Sequence, residues 1–487
     1  VNIVPNYILT LPLKTEKYQE DILNKKFEEC RKIYNACISQ LHKRYNHMRE
    51  SKEYQRITKM VKGKDRNKQF NNINKTYNLT EYSLHSFVKP MTKYYNIDAM
   101  TGQKIATRAW DAFSGLIFHT AKHVKCKAYG ELNSIEGKSN KQGIRYRDNQ
   151  LLFNKMIIPT IINPKDIYAE QSLENPIKYC RIKREMIKGK YHYYVQLILE
   201  GIPPSKLNNE TGEIKGIIGE GNCGIDIGTR TIAYSSKYEC KLLELAPEVN
   251  NIEPIKRVLS RKLDRQRRVN NPNKYNEDGT IIKGNRDKWI KSKNYFKTQN
   301  KLKDIQRKQS CIRKQSHNIL ANQLLNLGNK FYVETMSYNG LQRRSKNTTV
   351  NTKTGKFNKK KRFGKSLANK SPSMFLTILD NKLKWNGTQL YKINTYKVKA
   401  SQYNHFDEKY NKKELSERWN IFNINNKEIK IQRDLYSSFL IMNVKDNLEE
   451  IDRDLCNETY GNFKQLHDKE INRLLSSNDK KISSMGI

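Results

Sequence analysis

The chain has 487 residues, with 92 Lys and Arg against 49 Asp and Glu, a formal charge of +43. That length accommodates two to four domains with a sizeable core, and that charge calls for a polyanionic partner, nucleic acid ahead of an anionic membrane. No stretch approaches the roughly 18 uninterrupted apolar residues of a bilayer span, and the basic residues are spread along the whole chain instead of forming one amphipathic anchor, so no membrane role is expected.

Eight cysteines are scattered from Cys30 to Cys456 and no two form a Cys-x-x-Cys pair, so no zinc ribbon can be written and no zinc is expected. Residues 1–13 lack the basic-then-apolar layout of a secretory signal, which with the scattered thiols suggests a reducing cytoplasm.

Residues 3–13 alternate loosely, as a strand would. Thr15 is expected to cap a helix with Leu23, Phe27, Ile33, Tyr34, Cys37 and Leu41 on its apolar face and Lys25, Lys26, Arg31, Lys32, Lys43 and Arg44 opposite. The whole of 15–125 reads as a helical lobe with a basic outside. Residues 126–205 change to short apolar runs between turn residues, such as Leu151 to Phe153, Met156 to Ile158 and Tyr191 to Leu199, and with 1–14 suggest a small β-barrel. Lys183 and Arg184 precede the last run; basic residues beside aromatics suit a sugar–phosphate backbone with stacked bases, or simply a soluble strand edge. Residues 206–222 read as a linker.

Cys223 to Tyr234 reads as a hairpin turning at Gly228-Thr229, with Asp226 inside its first apolar run. A carboxylate there needs compensation, by a metal ion or by a basic partner. Residues 252–327 read as two long basic helices, the first carrying Arg261, Arg265 and Arg268. Phe331 to Met336 is a short strand ending in Glu334. No acid follows from Thr335 to Leu379, and the basic loop at 341–370 carries Arg343, Arg344, Lys359, Lys360, Lys361 and Arg362, placing polyanion near that strand-end acid. Met374 to Trp385 reads as a helix, Leu390 to Asn394 as a strand and 401–430 as irregular. Ile431 to Met442 opens a helix with Asp434 in its first turn, where a carboxylate also serves as an ordinary helix-dipole partner. An acidic helical tail, expected to pack on a basic surface, covers 451–487.

Asp226, Glu334 and Asp434 stand 108 and 100 residues apart, two on strands and one on a helix. The distribution suits an α+β multidomain chain whose C-terminal half, 223–400 plus 431–450, is an RNase H-like nuclease domain. Three carboxylates without histidine suit hard Mg²⁺, and two such ions about 4 Å apart activate water and steady the leaving oxygen in phosphodiester cleavage.

These three stretches resemble the RuvC motifs of TnpB, the RNA-guided nuclease of insertion sequences, and of the related compact type V CRISPR effectors. Gly224-Ile-Asp226-Ile-Gly-Thr matches the first motif, Val333-Glu334 with the basic segment after Leu341 the second, and Arg433-Asp434 the third, where Tyr436, Ser437 and Ser438 replace the usual Asn and small residues. Lys397 to Gln402 is similar to the segment before the family's zinc ribbon, so 401–430 corresponds to the target-strand loading loop without the zinc cysteines. The resemblance implies a split-barrel wedge at 1–14 and 126–205 with the recognition lobe inserted at 15–125. It also implies a guide RNA, a double-stranded DNA target, one RuvC site cutting both strands, a monomer or homodimer, and a prokaryotic cytoplasm with activity at the nucleoid. The residues alone reach a basic, metal-dependent, polynucleotide-cleaving protein. A guide-dependent DNA-binding repressor without cleavage, and a guide-free resolvase or transposase-associated protein, are the alternatives.

Overall fold

The computed structural model describes all residues except 1–4, 208–209, 348, 353–354, 356–357, 359–362, 415–416, 425–426, 478–481 and 483. The chain divides into two compact units, Val1–Pro204 and Ser205–Ile487.

In the first unit, β1 (Asn6–Pro12) leads into five helices: α1 (Lys17–Glu50), α2 (Lys52–Lys59), α3 (Lys64–Thr76), α4 (Glu81–Tyr94) and α5 (Ala99–Ile117). The apolar stripe of α1 is buried as its spacing predicts. Its N-terminus differs: Glu16 is the cap, in a capping box with Gln19, while the Thr15 hydroxyl donates to Glu20. Lys26 is not on the solvent face. It is buried, paired with Glu29 at 2.9 Å and donating to the Tyr95 carbonyl. Four strands and a short helix follow: β2 (Ser134–Glu136), β3 (Arg145–Arg147), β4 (Gln150–Phe153), β5 (Met156–Pro159) and α6 (Ile167–Leu173). The long hairpin β6 (Ile177–Ile187) and β7 (Lys190–Glu200) completes the unit. The strands form a four-stranded sheet, β1-β7-β6-β2, and a three-stranded sheet, β3-β4-β5, linked by a bridge between Leu13 and Thr160.

The second unit opens where a linker is expected, and the segment carries a small ladder of β8 (Lys206–Leu207) and β9 (Ile214–Lys215). Then come β10 (Asn222–Ile227), β11 (Thr231–Ser236) and β12 (Cys240–Glu244), and two long helices, α7 (Glu253–Val269) and α8 (Lys293–Leu325). They are followed by β13 (Lys330–Glu334), the short helices α9 (Tyr338–Leu341) and α10 (Gly364–Lys370), α11 (Pro372–Trp385), β14 (Leu390–Ile393) and α12 (Thr395–Val398). Residues 401–430 are not irregular. They hold the pair β15 (Tyr403–Asn404) and β16 (Lys409–Tyr410) and the hairpin of β17 (Trp419–Ile424) with β18 (Lys427–Gln432). Ile431 and Gln432 therefore end a strand, and α13 (Arg433–Met442) begins one residue later. Helix α14 (Arg453–Ser476) closes the unit.

The central sheet has the order β12-β11-β10-β13-β14. The first three strands are antiparallel, and β13 and β14 run parallel to β10. Alternation divides its residues between two cores. Cys223, Ile225, Ile227, Phe331 and Val333 pack with Leu324 of α8 and Phe375 and Leu379 of α11. On the other face Ala233, Leu242 and Tyr332 pack with Leu435, Phe439 and Leu440 of α13 and Phe463 of α14. The tail thus lies on an apolar surface. Its Glu470 is buried, accepting from the Leu242 backbone N–H at 3.0 Å and pairing with Arg473 at 2.7 Å.

Candidate active site

Strand β10 positions the first carboxylate. Its in-and-out rhythm sends Cys223, Ile225 and Ile227 toward α8 and α11, leaving Gly224 and Asp226 on the α13 face. Gly224 has no room for a side chain: a Cβ there falls 2.8 Å from Met442 Cα and closer still to Ser438 O and Met442 N. The α13 backbone therefore rests directly on β10, one alternation step before Asp226.

The parallel ladder of β10 with β13 runs from Asn222 opposite Lys330 to Ile225 opposite Val333. The next residues along these strands are Asp226 and Glu334. Parallel neighbours lie about 4.8 Å apart, and Tyr332 packs on the α13 face, so Glu334, two residues on, shares that face with Asp226. The two strand-borne acids predicted from sequence are thereby brought side by side.

Asp434 lies in the first turn of α13, which Gln432 caps by accepting from Leu435 N at 2.8 Å. Its carboxylate is engaged by Arg433, whose Nε and Nη2 each lie 3.3 Å from Oδ1, and faces Arg418 at 4.0 Å. Among the described residues no three His, Cys, Asp or Glu side chains are grouped closely enough to hold a metal ion.

Burial, then the charges of Asp434 and Glu334, push the Asp226 carboxyl well above its usual range. The nearby Ser437 hydroxyl and Arg433 only partly oppose them. Burial also raises Glu334. Two adjacent carboxylates driven toward protonation favour a divalent cation. The donor set is oxygen alone, which suits a hard ion such as Mg²⁺. Tyr338 Oη, on the helix that follows Glu334, is buried without a hydrogen-bond partner, as a polar group awaiting a ligand would be. Asp226 and Glu334 thus fit the ion, while Asp434 is engaged by Arg433.

Sequence reasoning passed over Arg433, Tyr338 and Ser437 as members of the site. The signal for Arg433 was its place beside Asp434; for Tyr338 it was a polar aromatic just after a strand-end acid.

The basic residues separate into distinct groups. Arg261 and Arg265 lie exposed on α7 without an ion pair among the described residues. Arg268, on the same face, is also exposed but pairs with Asp264 at 3.0 Å. Arg343 and Arg344 are exposed just beyond α9. Lys183 is half-buried and pairs with Glu185 at 3.2 Å.

Arg184 is not open to a phosphate. Its side chain is 2% exposed, bonded to Asn24, Glu28, Asn133 and the Leu132 carbonyl, and its guanidinium lies 4.5 and 4.6 Å from the ring centroids of Phe27 and Tyr191. The alternation of Cys180, Ile182 and Arg184 into the core of β6 accounts for it. Lys359, Lys360, Lys361 and Arg362 lie outside the described residues.

The expected zinc-free loop is held by side chains. Buried His405 Nδ1 lies 2.6 Å from Tyr436 Oη, which also accepts from the His405 backbone N–H at 3.2 Å. Arg453 donates to the carbonyls of His405 and Phe406, each at 3.0 Å. Phe406, Phe439 and Tyr460 pack around the imidazole.

Among solved structures, the chain is similar to the Cas12f1–sgRNA–target DNA complex determined by cryo-EM. The identity is 11% and the TM-score 0.41, covering 81% of this chain and 76% of that one. It is also similar to a CRISPR-Cas12f ternary complex, at 11% identity and a TM-score of 0.25, covering 89% of this chain and 86% of that one. No family model and no curated protein matches the sequence. Among the described residues no helix is long and apolar enough to cross a membrane.

Proposed function

We propose that this chain is an RNA-guided DNA endonuclease with a single Mg²⁺-dependent RuvC-like site at Asp226, Glu334 and Asp434. The observation that carries the reading is the placement of Asp226 and Glu334 at the ends of adjacent parallel strands, with α13 bringing Asp434 to the same face. Three antiparallel strands followed by two parallel ones, with helices on both faces, support an RNase H-like domain. The formal charge of +43 supports a polyanionic partner. Guide RNA and double-stranded target DNA are the partners proposed, on the strength of the three motifs.

In the reaction, a water oxygen bonds to phosphorus as it gives up a proton to solvent, the bond from phosphorus to one ester oxygen breaks, and the released oxygen takes up a proton from solvent. Bound Mg²⁺ supplies neutralisation of the phosphate and a more acidic water. Asp226 and Glu334 would hold that charge in place, with Asp434 as the third acid proposed to join them. The exposed Arg343 and Arg344, beyond the strand-end Glu334, draw the DNA backbone toward the acids.

The test is cleavage of a guide-matched DNA by the purified protein, its RNA and Mg²⁺, against Asp226→Ala. The variant is expected to bind RNA and DNA but not to cut. Cutting at the parental rate by Asp226→Ala removes the assignment. The contact of Arg433 with Asp434 favours one second reading, a guided protein that binds DNA and does not cut. Binding with no cleavage by the parental protein would select it.

A further inference from the structure

Tyr338 opens α9, four residues beyond the end of β13 at Glu334. The link between them is pinned. The Thr335 backbone N–H donates to Thr395 Oγ1 at 3.1 Å, the Thr335 and Thr395 hydroxyls lie 3.0 Å apart, and Ser337 Oγ accepts from Gly340 N at 3.2 Å. The Tyr338 side chain is partly exposed, yet its hydroxyl is buried and has no hydrogen-bond partner. The chain leaves the sheet at Glu334, which the parallel register sets beside Asp226, so α9 follows directly on the carboxylate pair; burial first, then the charge of Asp226, holds the phenol up. The carboxylates themselves do not take its proton in a hydrogen bond.

A phenol that keeps its proton is a donor, and a buried donor without an acceptor is costly unless something that binds there supplies one. The acceptor must be anionic or strongly polar, because Arg343 and Arg344 follow within six residues and no acid does until Asp380. We propose that Tyr338 is a substrate-binding residue of this site, its hydroxyl donating to a non-bridging oxygen of the phosphodiester that lies against Asp226 and Glu334. The proposal rests on the phosphodiesterase reading above. Ser437 is only 1% exposed and its hydroxyl acts on Asp226 itself, so it is too deeply buried to reach a substrate.

The experiment compares the parental protein, Tyr338→Phe and Asp226→Ala, each with guide RNA, Mg²⁺ and target DNA under single-turnover conditions. The target carries either a normal phosphate or one phosphorothioate diastereomer at the scissile position. Loss of a hydrogen bond to a charged oxygen is expected to slow cleavage by Tyr338→Phe about 10- to 100-fold, with target affinity and melting temperature unchanged. Sulfur at the contacted oxygen is expected to slow the parental protein but not to slow Tyr338→Phe further, a pattern that a purely structural tyrosine does not produce. Parental rates from Tyr338→Phe overturn the proposal. So does a lowered melting temperature, because the hydroxyl then has a protein partner. A parental protein that does not cut, or full activity in Asp226→Ala, overturns the phosphodiesterase reading itself, an outcome distinct from failure of Tyr338→Phe alone.

Discussion

Gly224→Ala tests whether α13 is held against the sheet as described. The added methyl falls 2.8 Å from Met442 Cα, whereas ordinary contact begins near 3.4 Å, so the helix must retreat by at least about 0.6 Å at that point. The closest neighbours, Ser438 O and Met442 N, are backbone atoms, so no side-chain rotation relieves the clash. Overpacking of this kind costs about 1–3 kcal/mol, which for a unit of this size lowers the melting temperature by several degrees, on the order of 5 °C. The displacement is carried along α13 toward Asp434. Because misplacement of about 1 Å can cost roughly a hundredfold in rate, cleavage is expected to fall at least tenfold. Differential scanning calorimetry and single-turnover cleavage on the same preparation provide both readouts. An alanine variant that melts and cuts like the parent refutes the packing of Gly224 beneath α13 and, with it, the route by which the helix reaches the acids.

Three further outcomes are expected. Tyr436→Phe removes the hydroxyl that bonds His405 twice and leaves a buried backbone N–H unpaired, a loss of about 1–3 kcal/mol seen as a lower melting temperature and faster proteolysis within 401–430; a chelator is expected to leave that segment's protection unchanged. At Glu28, burial raises the carboxyl, but Arg31, Arg184 and the Gly130 N–H outweigh it and hold it below its ordinary value. Its stabilising contribution is therefore present above that ordinary value and is lost as pH falls through the lowered one, so the melting-temperature gap between the parent and Glu28→Gln is expected to close as the pH is taken below the ordinary glutamate value. Arg261→Ala and Arg265→Ala are each expected to weaken nucleic-acid binding and flatten its salt dependence by about one unit of log–log slope with stability unchanged, whereas Arg184→Ala is expected to lower stability first.

Much of the second unit was legible because its strands are short apolar runs with clean boundaries. The Asp226 hairpin, the Glu334 strand and both basic helices stand close to where periodicity places them. The hairpin of β17 and β18 was not legible, because Asn420 is among its inward residues and the apolar alternation is broken. Residue type alone places Lys26 on a solvated helix face and Arg184 on a nucleic-acid contact or soluble strand edge. Their positions, one on the buried stripe of α1 and one in the in-facing rhythm of β6, argue otherwise; Lys26 is balanced by Glu29 one turn along its own helix and Arg184 by Glu28, distant in sequence. Asp434 was found from its motif, but its contact with Arg433 was not, since a neighbouring side chain's direction depends on the β18-to-α13 corner. The Tyr436 that departs from the family pattern proves to have a use, as the hydroxyl that fastens the 403–410 pair to the helix.

The pairing of Asp226 with Glu334 leaves the fold under a standing electrostatic load. Burial and neighbouring negative charge both oppose ionisation at Asp226, so a neutral residue at that position relieves the sheet even as it disarms the site. On the proposed reading, one substitution at Asp226 could turn cutting into mere occupancy while relieving that load, so keeping the acid would require continuous selection for strand breakage.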